Sequence, residues 1–328
     1  VHAAELPSLS ALAIGLSAPI FAWAVVRRGD PPVTLLAAQA AGAVACGVVA
    51  LVQWIGADPF VAFGWYAPIE GASVRMRVYG TLGNPNFVGV LMAATFPATL
   101  AVLGSVASLR GRWVAGLALA VQAGALVATG SRGAVLGLAA GVSVYAVLRW
   151  STRVRVVLVA VAALAVVAVV VSPARPIDTT AAGRVYLWRI AARHASDAPL
   201  FGLGPGAVAL HFPEWQQRAA REGVRDRRFA GITDHVHNDY LEALVERGVP
   251  GLMTVCLPLL AVAMAIGRAG RVVSPVLAGA AAATAAGAAC ALVDFPLARP
   301  AELAWWWIAI LLATTVAAST GDIVDRHV

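Results

Sequence analysis

Runs of about twenty apolar residues recur along this 328-residue chain, and they limit what it can fold into. Nine are legible: 9–26, 33–55, 87–109, 113–129, 133–148, 154–171, 241–266, 272–293 and 303–319. A run of that length crosses a hydrocarbon layer of roughly 30 Å as a helix, because each backbone polar group in lipid must find its partner inside the segment. Nothing between the runs alternates as the strands of a barrel do. The sequence therefore predicts an all-α polytopic membrane protein with about nine transmembrane helices and one large external, partly helical loop. Composition agrees: 12% of residues are charged and mean hydropathy is +0.80, against about 25% charged in a soluble domain.

The net charge of +7 raises the question of nucleic acid, but the basic residues interrupt apolar runs and line no soluble face. Membrane topology accounts for them, and the expected surface partner is the lipid bilayer. All 24 basic residues are arginine. Arg27, Arg28, Arg110, Arg112, Arg149, Arg153, Arg155, Arg268, Arg271 and Arg326 fall on one side, which the positive-inside rule makes cytoplasmic. The segments left outside are 58–86, the Ser131-Arg132 turn, the 172–240 loop and the 294–302 turn. Domain organisation follows: six helices in 1–171, the external loop in 172–240, three helices in 241–328. Nine helices leave the N-terminus outside, and Val1 is no initiator methionine, so the sequence is expected to be a piece of a longer protein. Cys46, Cys256 and Cys290 lie in apolar runs with no CxxC spacing, which points to buried thiols and to neither a disulfide frame nor a metal site.

The outside segments hold nearly all the unusual polar residues. The 172–240 loop alone carries nine arginines between Arg175 and Arg228. Within it, 182–196 reads as an amphipathic helix with Val185 and Trp188 on one stripe and Arg189 and Arg193 a turn apart on another, Arg184 near its start. Such a helix either lies on lipid phosphates or holds a phosphate by forked hydrogen bonds. The turn at 199–206 (PLFGLGPG) follows no strand and precedes no Lys-Ser/Thr, which excludes a nucleotide loop. Asn84-Pro85 favours a turn, with Asn86 near the start of the next helix as a candidate N-cap; Asn84 and Asn86 are otherwise candidate polar site residues. Arg132, in 129–133 (TGSRG) between two apolar helices, either snorkels or meets an anionic ligand. His235 and His237 have three accounts: a zinc site, for which further ligands are wanting; polar residues at a helix start capped by Asn238 or Asp239; or a general base, since a neutral imidazole takes a proton at physiological pH.

Taken in order, 80–87 (GTLGNPNF), 129–133 (TGSRG), 183–188 (GRVYLW), 199–206 (PLFGLGPG), 237–251 (HNDYLEALVERGVPG) and Asp294-Phe295-Pro296 resemble the O-antigen ligase and Wzy-type polymerase family of bacterial envelope glycosyltransferases. The resemblance covers most of the chain from Tyr79 onward. It implies a multi-pass transferase in the bacterial cytoplasmic membrane. Its site faces the periplasm, it uses no metal and no cofactor, and it acts on an undecaprenyl-diphosphate-linked glycan. The family's catalytic histidine falls on His237 and its outer arginines on Arg132 and Arg184. Arg189, His235, Asn84, Asn86, Trp188 and Tyr240 are expected to touch substrate. The acceptor would be lipid A-core, or alternatively another lipid-linked glycan or a protein hydroxyl. The chemistry is consistent: arginines in a low-dielectric site stabilise a departing diphosphate, and a histidine deprotonates the acceptor hydroxyl.

A transporter is the reading from another class. It would spread buried charges over several helices or show an internal repeat. The ionisable residues instead cluster at one face, and no repeat is visible.

Overall fold

The computed structural model describes residues 31–64, 78–171, 180–224, 229–270 and 273–325, and before them the isolated positions Ser17, Ile20, Ala24, Val25 and Arg28. The expected first span, 9–26, therefore lies almost wholly outside the described residues, as do Trp65, Tyr66, Glu70, Arg75, Arg77, Arg175 and Arg225 to Arg228. Ten α-helices and no strand occur among the described residues. They are α1 (Val33–Trp54), α2 (Pro85–Ser105), α3 (Leu109–Thr129), α4 (Arg132–Arg149), α5 (Thr152–Val171), α6 (Thr180–His194), α7 (Ala207–Arg221), α8 (Asp239–Ala269), α9 (Pro275–Ala291) and α10 (Pro300–Asp325). Six of them, α1 to α4, α8 and α10, are long and apolar enough to cross a membrane. The protein is an all-helical polytopic membrane protein, as the apolar runs require.

The helices pack by small residues, since lipid offers no hydrophobic drive between them. α9, read as PVLAGAAAATAAGAACA, is buried on nearly every side and lies between α2, α4 and α10. A side chain at Gly137 on α4 would strike the Cys290 sulfur of α9, and one at Gly279 on α9 would strike Ala101 of α2. At 17 residues α9 is shorter than the expected 272–293 run. A length of about 26 Å at 1.5 Å per residue suffices for a helix whose neighbours shield it from lipid. The polar groups in this interior are satisfied locally: Gln122 of α3 bonds the Thr99 hydroxyl of α2 at 3.0 Å.

Connectivity puts Arg110, Arg112, Arg149, Arg153, Arg155 and Arg268 at one end of the bundle, where the Arg149 guanidinium bonds the Val273 carbonyl. The other end gathers the start of α2, the α3–α4 turn, the start of α8 and the α9–α10 turn. Above that end sits a separate core of the 180–245 region, built on Tyr186, Ile190, Val208, Phe212, Trp215 and Val236 and closed by Val245 of α8.

α8 is broken where the apolar run looked continuous. Gly248 has φ 65° and ψ −156°, which no helix contains. Three hydrogen bonds from the 199–204 turn replace those the break costs: Leu203 N–H to the Val245 carbonyl (2.9 Å), Gly204 N–H to Glu246 (2.9 Å), and Val249 N–H to Pro199 (3.0 Å). The two backbones touch so closely that a Cβ on Gly202 would overlap the Glu246 peptide, and one on Gly248 would come 2.5 Å from the Leu200 oxygen. The glycine-rich turn is thus a splint for α8.

Candidate active site at the outer end of the bundle

The start of α8 explains how the histidines are held. Asn238 caps the helix, its side-chain oxygen accepting the Leu241 N–H at 2.9 Å. Asp239 accepts the Leu297 N–H at 2.9 Å, tying α8 to the α9–α10 turn. One turn on, Glu242 binds His235 Nδ1 at 2.7 Å and accepts the Val236 N–H at 2.9 Å. Another turn on, Glu246 accepts Val208 N–H at the start of α7, at 3.2 Å. Trp188 of α6 donates its indole N–H to the carbonyls of Val236 (2.9 Å) and His237 (3.3 Å). These bonds fix the backbone on both sides of His237.

His237 itself has φ 55°, and it is the one non-glycine with positive φ among the described residues. A side chain held there costs about 1–3 kcal/mol and persists only where its surroundings enforce it. Its Nδ1 is buried, has no hydrogen-bond partner, and stands 3.5 Å from the Asp294 Oδ1. Asp294 is 2% exposed. Burial pushes its carboxyl up, but His237, the positive charges of Arg299 and Arg184, and the Phe295 N–H together hold it below the ordinary value. Arg299 lies 3.9 Å over the Phe87 ring, 2.9 Å from the Glu302 carboxylate and 3.9 Å from Asp294. Phe295 packs beneath both imidazoles, stacked on His235 at 4.2 Å and edge-on to His237 at 4.8 Å.

The α3–α4 turn closes on the same place. Gly130 ends α3 in the left-handed conformation and Ser131 precedes α4 without capping it. Arg132 is therefore the first residue of α4, at the positive end of the helix dipole, where an anion would be favoured. Its neighbour Gly133 packs against Val293, next to Asp294, and the Gly133 carbonyl meets the Cys290 sulfur. Gly89 of α2 packs against Thr129, Ser131 and Ala134.

Of the residues expected from sequence, His237, Arg132, Arg184, His235 and Trp188 belong to this end. Arg184 is half-buried one turn before Trp188 on α6 and acts electrostatically on Asp294. His235 is engaged by Glu242. Burial pushes its pKa down, but the Glu242 hydrogen bond and charge, with Glu246 and Asp234, hold it above the ordinary 6.5. The cap of α2 is Asn84 and not Asn86: Asn84 accepts the Asn86 N–H at 2.8 Å, because Pro85 takes the first helical position and leaves Asn86 inside the helix; both asparagines are half-buried beside Phe87. Tyr240 donates its hydroxyl to the Ala288 carbonyl at 3.1 Å, pinning α8 to α9. Arg189 is exposed on α6. Asp294 was read from sequence only as part of a motif, and Arg299 and Glu302 were not singled out. Their signal was three charges in nine residues between two apolar helices. Among the described residues no group of His, Cys, Asp and Glu is arranged to hold a metal.

Residues 117–256 match the family model described as O-Antigen ligase (Wzy_C). The match covers less than half of the chain. It includes Arg132, Arg184, Trp188, His235 and His237 and stops before Asp294 and Arg299. No curated protein matches the chain.

Proposed function

We propose, from the premise that this is a multi-pass membrane protein carrying the O-antigen ligase family domain at residues 117–256, that it moves an oligo- or polysaccharide from an undecaprenyl-diphosphate carrier to an acceptor hydroxyl. The reaction takes place at the outer face of the bacterial cytoplasmic membrane. The arginine-rich end of the bundle faces the cytoplasm, so the His237 end faces the periplasm. Arg132, at the N-terminus of α4, and Arg184 hold the donor's diphosphate by charge-assisted hydrogen bonds. His237 takes the proton of the acceptor hydroxyl through Nε2 while Asp294 orients the ring from Nδ1. The acceptor oxygen attacks the anomeric carbon of the first sugar, and the bond from that carbon to the diphosphate oxygen breaks. The diphosphate leaves on its carrier with the electron pair, its charge met by the two arginines. No step calls for a metal or a cofactor. The observation that carries this reading is His237 Nδ1 set against a buried, ionised Asp294 within the electrostatic reach of Arg184.

The acceptor is taken to be lipid A-core. A polymerase acting on a second lipid-linked glycan and an oligosaccharyltransferase acting on a protein hydroxyl use the same chemistry. The test incubates purified protein with undecaprenyl-diphosphate-linked oligosaccharide, chelator and each acceptor, and follows release of undecaprenyl diphosphate. Release by wild type and its loss in a folded His237→Ala variant are expected, and the acceptor that gains mass names the reaction. Full activity in His237→Ala would sink the mechanism.

A further inference from the structure

The turn that splints α8 also carries side chains its structural task does not use. Phe201 is 80% exposed and Leu200 67%, among the most exposed large apolar residues described. A loop in water gains nothing from presenting both. Their position is set by the close approach of Leu200 and Phe201 to Gly248 and by the Val249–Pro199 hydrogen bond. That places them next to a stripe on α8 made by Val249, Met253, Leu257 and Leu260, each exposed, as side chains turned to lipid on a membrane helix are. The first turn of α7, whose Val208 N–H is held by Glu246 of α8, also carries an exposed apolar side chain, Leu210. Exposed apolar side chains thus occur both on a transmembrane helix and on the turn held against it, with the exposed Arg247 at their junction, as at a lipid–headgroup boundary.

We infer that the 199–201 turn is a membrane anchor: Leu200 and Phe201 seat among the acyl chains just below the headgroups of the outer leaflet, and the external unit rests on the bilayer there. Aromatic and aliphatic side chains next to a helix end are the groups that partition to that boundary. The anchor fixes the height of the α8 break, and with it the nine residues of α8 leading back to His237. The inference needs only that α8 crosses the membrane and does not depend on the transfer reaction.

Nitroxide labels test it in protein reconstituted into phospholipid nanodiscs. The background is Cys256→Ser, since Cys256 is the one exposed cysteine. Labels enter by Phe201→Cys, by Met253→Cys as a lipid-facing reference, and by Gln217→Cys on the exposed face of α7 as a reference for water. Because the Phe201 side chain makes little contact with the protein, the substitution leaves the fold intact, which elution and melting check. Relaxation of the 201 label by oxygen, with protection from a water-soluble nickel chelate as at 253, is the expected result. Nickel access equal to that at 217 overturns the anchor. So does exclusion of both reagents, which would mean protein covers the turn; spin–spin broadening would then identify a second copy of the chain.

Discussion

His237 is the residue where the backbone accepts strain and the side chain is left with one neighbour worth having. In the proposed mechanism Asp294 is a positioning residue that holds the His237 ring with Nε2 turned to the acceptor. Asp294→Asn keeps the size and removes the charge. Transfer is expected to fall about 10²-fold in kcat with KM little changed, whereas mere loosening of the fold would lower the melting temperature as well. His235 makes a different prediction. Its pKa is raised in the folded protein by Glu242, so the pair adds stability in full below pH 6.5 and loses it as pH climbs through the higher folded value. Melting curves in detergent from pH 6 to 9 should fall for wild type and run flatter for Glu242→Gln. Behind them, the Arg299 and Glu302 side chains are 8% and 6% exposed and lie 2.9 Å apart. Arg299→Gln strands two buried carboxylates and is expected to cost on the order of 3 kcal/mol in unfolding. The double variant with Glu302→Gln should recover part of that. The histidine was legible because the polar sequence around it is dense. Arg299 was not, because its meaning depends on a ring at Phe87 more than two hundred positions away, and no local spacing records that.

Among the elements, α8 departs furthest from its sequence. Its apolar run predicts one span, and the span is present, but the break at Gly248 is hidden inside it. The stop signal was in the sequence, Arg247-Gly248-Val249-Pro250, a basic residue, a glycine and then a proline, but the apolar residues on either side carried the span through it. The glycine-rich turn was recognisable as a turn from its composition, yet its partner could not be read, since the pairing is between two backbones and leaves no side-chain signature. The pairing can be tested. Gly202→Ala meets both a positive φ of 74° and the Glu246 backbone, whereas Gly204→Ala meets a positive φ of 101° and open space. Unfolding should cost about 3 kcal/mol for the first and nearer about 1 kcal/mol for the second. Equal losses would mean that strain alone matters and the contact contributes nothing. By contrast, the transmembrane helices α1 to α4 and α10 were all legible as apolar runs, because a span has to be apolar over its whole length. The ends of α1 and α4 fall within one residue of expectation, whereas α2, α3 and α10 are displaced at one end or both by two to six residues.

At the scale of the whole molecule, the site has no single owner. α2 lends Phe87, the α3–α4 turn lends Arg132, α6 lends Arg184 and Trp188, the start of α8 lends His237, and the α9–α10 turn lends Asp294 and Arg299. The core above the membrane is likewise unfinished until Val245 of α8 enters it. A ribosome delivers these parts in order, and the last to emerge are Asp294 and Arg299. A chain stopped after residue 293 is expected to insert its earlier helices and retain His237, yet to show no transfer and to be cleared by membrane proteases faster than the full chain, which pulse–chase labelling would measure. On the proposed reading the α9–α10 turn is a completion mark in biosynthesis: the arginines and the histidine are made first, as separate parts, and the site is whole only when the last hairpin has been added.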